Sequence, residues 1–543
     1  MMSVLSRVRH DARHDTVVPE DPGRGARHRI DWTCAIPCVV TLAVMLTGLG
    51  GASYWGDEAA TVTAAARPLP SLLRTLTHVD AVHGSYYLLA WIQGHLFGDG
   101  PIALRLPSAI AAAAGAAAVA AIGRRMRSPR AGLLAGLMFA GLPAVSMWGQ
   151  NARSYAMVMA CAAVASLALL RFLDRPDTAR LAGYAGAIAA LGYLNMFALL
   201  LVPAHAVTTW FGYPDRRWLF KWWAAGAAVG SVAVTPVAAL GYGQRGQVAW
   251  LPAPGIGDLQ DLLTTLLGGS VISAVLIALL AGAALHRVDA QHGPGPGTGT
   301  ATAQTGWLCL PWMVLPPAIL FAASLWIHAY SIHYVLFCLP AIAVLAGVGL
   351  AALPHPGQAA MAVLLLAATL PVQWAIRQPD GHGDNIRGAA HLLAADARAT
   401  DALIFWRGSW DPAAGIPDWA YAYPYGFTKP RDIAQAATPA QTGSLFGRDV
   451  SYRVLRRRLT AYQRVWVAEH RYIPVPHWLT PGLRLDRTWQ FGSVVLRLYT
   501  RQPYTRQSVH PSRHHQKPPA APTAYSNRTY FNVRQQHFRV LVP

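Results

Sequence analysis

The chain has 543 residues, of which 53% are apolar and only 13% charged, and its formal net charge is +20. Soluble domains usually carry about 25% charged residues. The deficit here is concentrated in repeated apolar stretches of roughly 18–23 residues, the length that crosses a bilayer core, so a water-soluble globular protein is excluded. Much of the positive charge lies in short loops between those stretches, where it sets topology and gives no reason to expect a nucleic-acid partner.

Residues 1–30 mix Arg with Asp and Glu around no apolar core. They read as a disordered cytoplasmic leader and not as a cleavable signal. The first apolar span runs from Cys34 to Ser53, and Trp55-Gly56-Asp57-Glu58 follows directly, two carboxylates where a membrane helix would emerge into water. A loop of about fifty residues separates this span from the next. Within it, Gly84 to Phe97 is apolar but too short to cross, and its Tyr and Trp content suits a helix lying at the interface.

Further spans are predicted at 104–123, 130–149, 154–173, 181–194, 197–213, 221–242, 260–285, 307–328, 332–353 and 358–376, about eleven in all. Basic loops at Arg124-Arg125-Met126-Arg127 with Arg130, at Arg171 with Arg175 and Arg180, at Arg216-Arg217 with Lys221, and at His286-Arg287 all fall on one side if residues 84–97 do not span. The positive-inside rule makes that side cytoplasmic. The 54–103 loop is then outside, as is everything after residue 377. The predicted location is a bacterial plasma membrane, with the N-terminus inside.

Residues 290–306, rich in Gly, Pro and Thr, are predicted to form a flexible linker. Beyond Gln378 the composition changes. Residues 401–406, 464–468 and 493–498 read as strands and residues 386–396 as a helix. Residues 378–502 therefore form a small extracytoplasmic α/β domain behind a transmembrane domain of residues 31–377. Residues 503–543, rich in Pro, His and Arg without an acid, read as a disordered tail. The five cysteines lie in or beside apolar segments, which argues against a disulfide framework or a zinc cluster.

Span counting gathers a set of polar residues on the outer side: Asp57, Glu58, Asp80, His83, Tyr87, Arg105, Arg153, Tyr155 and His333 among them. Charges at the start of a span, as at Arg105 and Arg153, are costly unless paired or hydrated. They are either snorkelling anchors or cations for an anionic leaving group. Asp57 is either a hydrated loop acid or a base for an acceptor hydroxyl. Asp80 either caps the helix that follows it or assists at the same site.

The order of these pieces resembles the membrane-embedded glycosyltransferases of the GT-C superfamily, in particular bacterial relatives of the family 39 protein O-mannosyltransferases. The matching pieces are Gly56-Asp57-Glu58, then Asp80 with His83 and Tyr86-Tyr87, then Ala103-Leu104-Arg105-Leu106-Pro107-Ser108, then Gln150 with Ala152-Arg153-Ser154-Tyr155, and more weakly His333-Tyr334 with Leu339-Pro340. Three positions depart from the pattern. His83-Gly84-Ser85 stands where many relatives have His-Pro-Pro, Asn151-Ala152-Arg153 where many have Glu-Ala-Arg, and His333-Tyr334 where many have Arg-Tyr.

The resemblance implies a GT-C-like helical membrane domain and transfer of a sugar from a polyprenyl-phosphate donor to an acceptor hydroxyl, with inversion. Mannose or arabinose is the expected sugar, and a glycan, lipid or protein the acceptor, with membrane lipid as the surrounding partner. By the same resemblance Asp57 is the catalytic base, Glu58 and Asp80 assist, and His83, Tyr87, Arg105, Arg153 and Tyr155 bind substrate, with Arg105, Arg153 and His83 meeting the lipid phosphate. No cofactor is firmly implied; a divalent cation stays open. Two other readings remain: a lipid or solute transporter, disfavoured because the charges cluster at one face and no inverted repeat is visible, and an inactive envelope scaffold.

Overall fold

The computed structural model describes residues 31–247, 253–290, 299–327, 329–406, 418–445, 447–471, 475, 479–480 and 482–501. The predicted leader and basic tail lie outside the described residues. Helix α1 (Trp32–Leu46) is followed by α2 (Gly56–Ala65), α3 (Leu69–Leu76) and α4 (Gly84–Phe97), and then by the long α5 (Pro101–Met126). The bundle continues through α6 (Pro129–Gly141), α7 (Pro143–Gly149), α8 (Tyr155–Asp174), α9 (Thr178–Leu194), α10 (Leu201–Phe211), α11 (Leu219–Val232), α12 (Thr235–Gly243), α13 (Ile256–Leu266), α14 (Val271–Ala290), α15 (Gly299–Ile327), α16 (Leu339–Ala352) and α17 (His355–Ile376). Each span predicted from the sequence falls on one or two of these helices. Among the described residues, 5 helices are long and apolar enough to cross a membrane, or up to 8 if each bent pair is one span.

The bent pairs correct the sequence reading, which took each as a continuous helix. α6 and α7 meet at 64°, α11 and α12 at 49°, and α13 and α14 at 70°. Pro143 and Pro236 open the second helix of the first two pairs, where a missing backbone N–H ends the preceding ladder. In the third, Gly268 and Gly269 take left-handed φ values of 103° and 82°, a conformation open to glycine at little cost. The predicted linker is also shorter than expected, because residues 299–306 already belong to α15.

Without a hydrophobic drive between helices in lipid, small side chains let helices approach closely. α5 is alanine-rich for this reason, and it packs on α1, α6 and α8. A Cβ at Gly115 would come to 3.3 Å from the Cα of Ala160 on α8, and one at Gly347 of α16 would collide with the backbone of Ala135 on α6.

The two ends of the bundle differ. At one, Arg124 pairs with Asp31, Arg125 pairs with Asp174, and Arg216 donates to the carbonyls of Leu173 and Asp174. Three of the basic loops and the start of α1 therefore meet there. Arg105 lies about 28 Å away along α5, at the end where the C-terminal domain sits.

That domain contains α18 (Ile386–Asp396) and strands β1 (Ala402–Trp406), β2 (Arg431–Asp432), β3 (Gln435–Ala437), β4 (Arg448–Asp449), β5 (Arg464–His470), β6 (Leu483–Phe491) and β7 (Val494–Arg501). The main sheet has the order β2-β1-β5-β7-β6, parallel across β2, β1 and β5 and antiparallel from β5 to β7 to β6. Strand alternation divides its core. Leu403 and Phe405 pack with α18, whereas Ala402, Ile404 and Trp406 pack with Leu455 and Leu459 on the opposite face. The first of these clusters also holds Tyr54, Ala59, Val62 and Tyr86. The α/β domain and the helices after the first span thus share one hydrophobic core.

Candidate active site

α2 begins at Gly56, so Asp57 and Glu58 occupy its first turn, where the helix dipole favours carboxylates. Successive helical residues point about 100° apart, and the two acids enter different surroundings.

Glu58 is fully buried. Its Oε1 accepts from Arg105 Nε at 2.8 Å and from the Ala152 N–H at 2.6 Å, and its Oε2 accepts from Arg105 Nη2 at 2.6 Å. The remaining N–H groups of Arg105 donate to the carbonyls of Leu49 (2.9 Å), Ala52 (3.0 Å) and Ser53 (3.0 Å). Both side chains are 0% exposed. Burial alone would raise the Glu58 pKa, but the charge and hydrogen bonds of Arg105 outweigh it and hold the carboxyl at about 2. His382 Nδ1 lies 3.6 Å from Oε2.

These contacts correct two sequence expectations. Arg105 has no donor left for a lipid phosphate, because a guanidinium carries five N–H groups and all are engaged inside the protein. Glu58 is locked as the counter-ion of Arg105, with no exposed side-chain surface.

Asp57 is different. Its side chain keeps 16% of its surface exposed, and its Oδ2 lies 3.7 Å from Arg153 Nη2. Arg153 reaches Tyr87 Oη at 3.2 Å, His83 Nε2 at 3.3 Å and the Asp57 carbonyl at 3.5 Å. Tyr87 in turn donates to Asp80 Oδ2 at 2.9 Å. The structure therefore brings Asp57, Asp80, His83, Tyr87 and Arg153 into one network. Arg153 sits in the non-helical break between α7 and α8, a segment braced by Ser108 Oγ on the Arg153 carbonyl (3.0 Å) and by Thr61 Oγ1 on the Ala152 carbonyl (3.1 Å).

Two further expectations change, at Asp80 and His83. Asp80 makes no side-chain cap; it sits at φ 55° and accepts from Tyr87 instead. His83 supplies no positive charge, since burial and then the neighbouring Arg153 push its pKa down to about 4. The Tyr155 ring belongs to an aromatic cluster, 4.6 Å from Trp148 and 5.5 Å from His333 between ring centroids, with Trp55 on the far side of Trp148 and His333. Asn151, one of the departing positions, is wholly buried and its amide has no hydrogen-bond partner.

The C-terminal residues that hold this site were missed in the sequence. His382 faces Glu58, Asp384 accepts from the Gly56 N–H at 2.9 Å, and Tyr423 Oη accepts from the Tyr54 N–H at 2.9 Å. The polar run Gly381-His382-Gly383-Asp384, directly after the last span, was the available signal. Among the described residues, no group of three or more His, Cys, Asp or Glu side chains could hold a metal ion.

Residues 85–239 match the family of dolichyl-phosphate-mannose-protein mannosyltransferases. ArnT from Cupriavidus metallidurans bound to undecaprenyl phosphate superimposes with a TM-score of 0.52 at 13% identity, over 85% of this chain and 97% of that one. Its apo form gives 0.53 at the same identity and coverage. The chain has the GT-C glycosyltransferase fold. The family match takes in α4, Arg105 and Arg153 but begins after Asp57 and Glu58. A looser similarity is to the oligosaccharyltransferase AglB from Archaeoglobus fulgidus in complex with an inhibitory peptide and a dolichol-phosphate, with TM-score 0.45, 11% identity, and 81% and 69% of the two chains covered. No curated protein matches the sequence significantly.

Proposed function

We propose that the protein transfers a sugar, mannose or arabinose, from a polyprenyl-phosphate donor to an acceptor hydroxyl at the outer face of a membrane, with inversion at the anomeric carbon. The observation that carries this reading is the contrast in Arg153. Its contacts to side chains and carbonyl are all long, 3.2–3.7 Å, whereas charge-assisted N–H···O bonds are typically about 2.7–2.9 Å. A phosphate oxygen can improve on what Arg153 now has, and Asp57 stands beside it.

In this reading Asp57 accepts the proton of the acceptor hydroxyl. The acceptor oxygen attacks the anomeric carbon from the side opposite the phosphate, the bond from that carbon to the phosphate oxygen breaks, and polyprenyl phosphate leaves with its new charge met by Arg153. Tyr87 and Asp80 hold Arg153 in place, and neutral His83 accepts from it. The family match and the undecaprenyl phosphate bound to ArnT support a lipid-phosphate donor, and the basic loops support placing the site end outside.

The test is transfer by the protein reconstituted in nanodiscs, supplied with radiolabelled polyprenyl-phosphate mannose, polyprenyl-phosphate arabinose or a sugar nucleotide, with a cell-envelope extract as acceptor. Label should move from one lipid donor and not from the nucleotide. Transfer from the nucleotide alone would overturn the donor assignment.

A further inference from the structure

Helix α2 carries Asp57, yet its own N-cap residue, Trp55, makes no side-chain capping bond. The first backbone N–H groups of a helix have no partner within it, and local Ser, Thr, Asp or Asn side chains normally supply one. Here the acceptor comes from a distant part of the chain: Asp384 Oδ2 takes the Gly56 N–H at 2.9 Å. Asp384 is itself fixed from behind. It is 2% exposed, its Oδ1 accepts from Ser493 Oγ and lies 3.7 Å from His470 Nδ1, and its backbone bridges to Gly492. His470 ends β5, and Ser493 lies in the turn between β6 and β7.

The segment entering α2 is held by the same region. Ser53 Oγ accepts from the Arg387 N–H at 3.0 Å, the Ser53 N–H donates to the Pro379 carbonyl at 2.9 Å, and Arg387 donates to the carbonyls of Gly50 and Gly51.

We propose that Asp384 is a positioning residue: by capping α2 it makes the C-terminal α/β domain the support that sets where Asp57 stands. The proposal rests on the reading of Asp57 as the base. A purely structural role for Asp384 would lower the amount of folded protein and leave each folded molecule as active as before. A positioning role lowers turnover without weakening donor binding, because small displacements of a catalytic group are costly.

Full-length Asp384→Ala and Asp384→Asn are compared with the parent in nanodiscs. Amide exchange at Gly56, Asp57 and Glu58 should accelerate roughly tenfold in Asp384→Ala, the scale of a lost cap, while exchange across α5 and α8 stays unchanged. With polyprenyl-phosphate mannose as the probe, kcat per folded molecule should fall roughly tenfold with KM unchanged. Asp384→Asn, which keeps an acceptor oxygen, should recover most of both. Unchanged exchange at 56–58, or faster exchange with unaltered kcat, would overturn the proposal. Asp57→Asn in the same assay separates the two readings: if it retains turnover, the base assignment fails, while the exchange measurement still decides whether Asp384 holds α2.

Discussion

Asp57 and Glu58 are neighbours in one helical turn, and each faces an arginine, yet the two pairs are built for opposite purposes. Glu58 and Arg105 are sealed, with hydrogen bonds of 2.6–3.0 Å and no exposed side-chain surface. Asp57 and Arg153 stand 3.7 Å apart with part of the aspartate open. A buried ion pair with all its hydrogen bonds made contributes to a fixed arrangement, and removing one partner strands the other. A loosely held pair at an opening can exchange partners with a ligand. The sealed pair pins the chain around residues 49–53 to α2 and so builds the floor on which the open pair works.

The largest effect should come from breaking the sealed pair. Arg105→Met leaves a buried carboxylate unpaired and is expected to destabilise the protein by about 3–5 kcal/mol, read as a lowered unfolding temperature in detergent. The double variant Glu58→Gln/Arg105→Met should recover part of that loss, because the two substitutions couple. Arg153→Gln should leave stability nearly unchanged and cut turnover by roughly a hundredfold, as for loss of one electrostatic donor. If it destabilised as much as Arg105→Met, the distinction between the pairs would disappear.

Acid should act on the sealed pair too. The Glu58 carboxyl is depressed from 4.5 to about 2, so its stabilisation is complete above pH 4.5 and is lost as pH falls towards 2. A parent that unfolds more readily across that window, against a Glu58→Gln variant lacking this component, would match. The smallest effect belongs to Tyr87→Phe. It removes the bond to the Asp80 carboxylate that steadies Arg153 and should reduce turnover by roughly tenfold, the low end for a hydrogen bond to a charged group.

Much of this was legible in the sequence. Apolar length placed the spans, because a bilayer demands it, and loop charge gathered the residues of the site on one side. Bends at Pro143 and at Gly268-Gly269 were written in residue types but hidden inside otherwise apolar runs. The strand Leu483–Phe491, largely exposed and carrying Arg484, Asp486 and Arg487, shows no apolar run to mark it. Which arginine is locked and which is open was not legible, since Arg105 and Arg153 both begin spans beside acids. Both are buried, and only their contacts separate them: 2.6–3.0 Å on every N–H of Arg105 against 3.2–3.7 Å around Arg153. The support from His382, Asp384 and Tyr423 was invisible for a similar reason: it joins residues more than three hundred positions apart.

The central claim is that Asp57, and not its neighbour, carries the proton transfer. The direct measurement is single-turnover transfer from a radiolabelled polyprenyl-phosphate sugar by Asp57→Asn in nanodiscs, with its unfolding temperature recorded on the same sample. Unfolding like the parent together with a loss of at least about a hundredfold in rate is the expected result. A normally folded Asp57→Asn protein that transfers at the parental rate would contradict it.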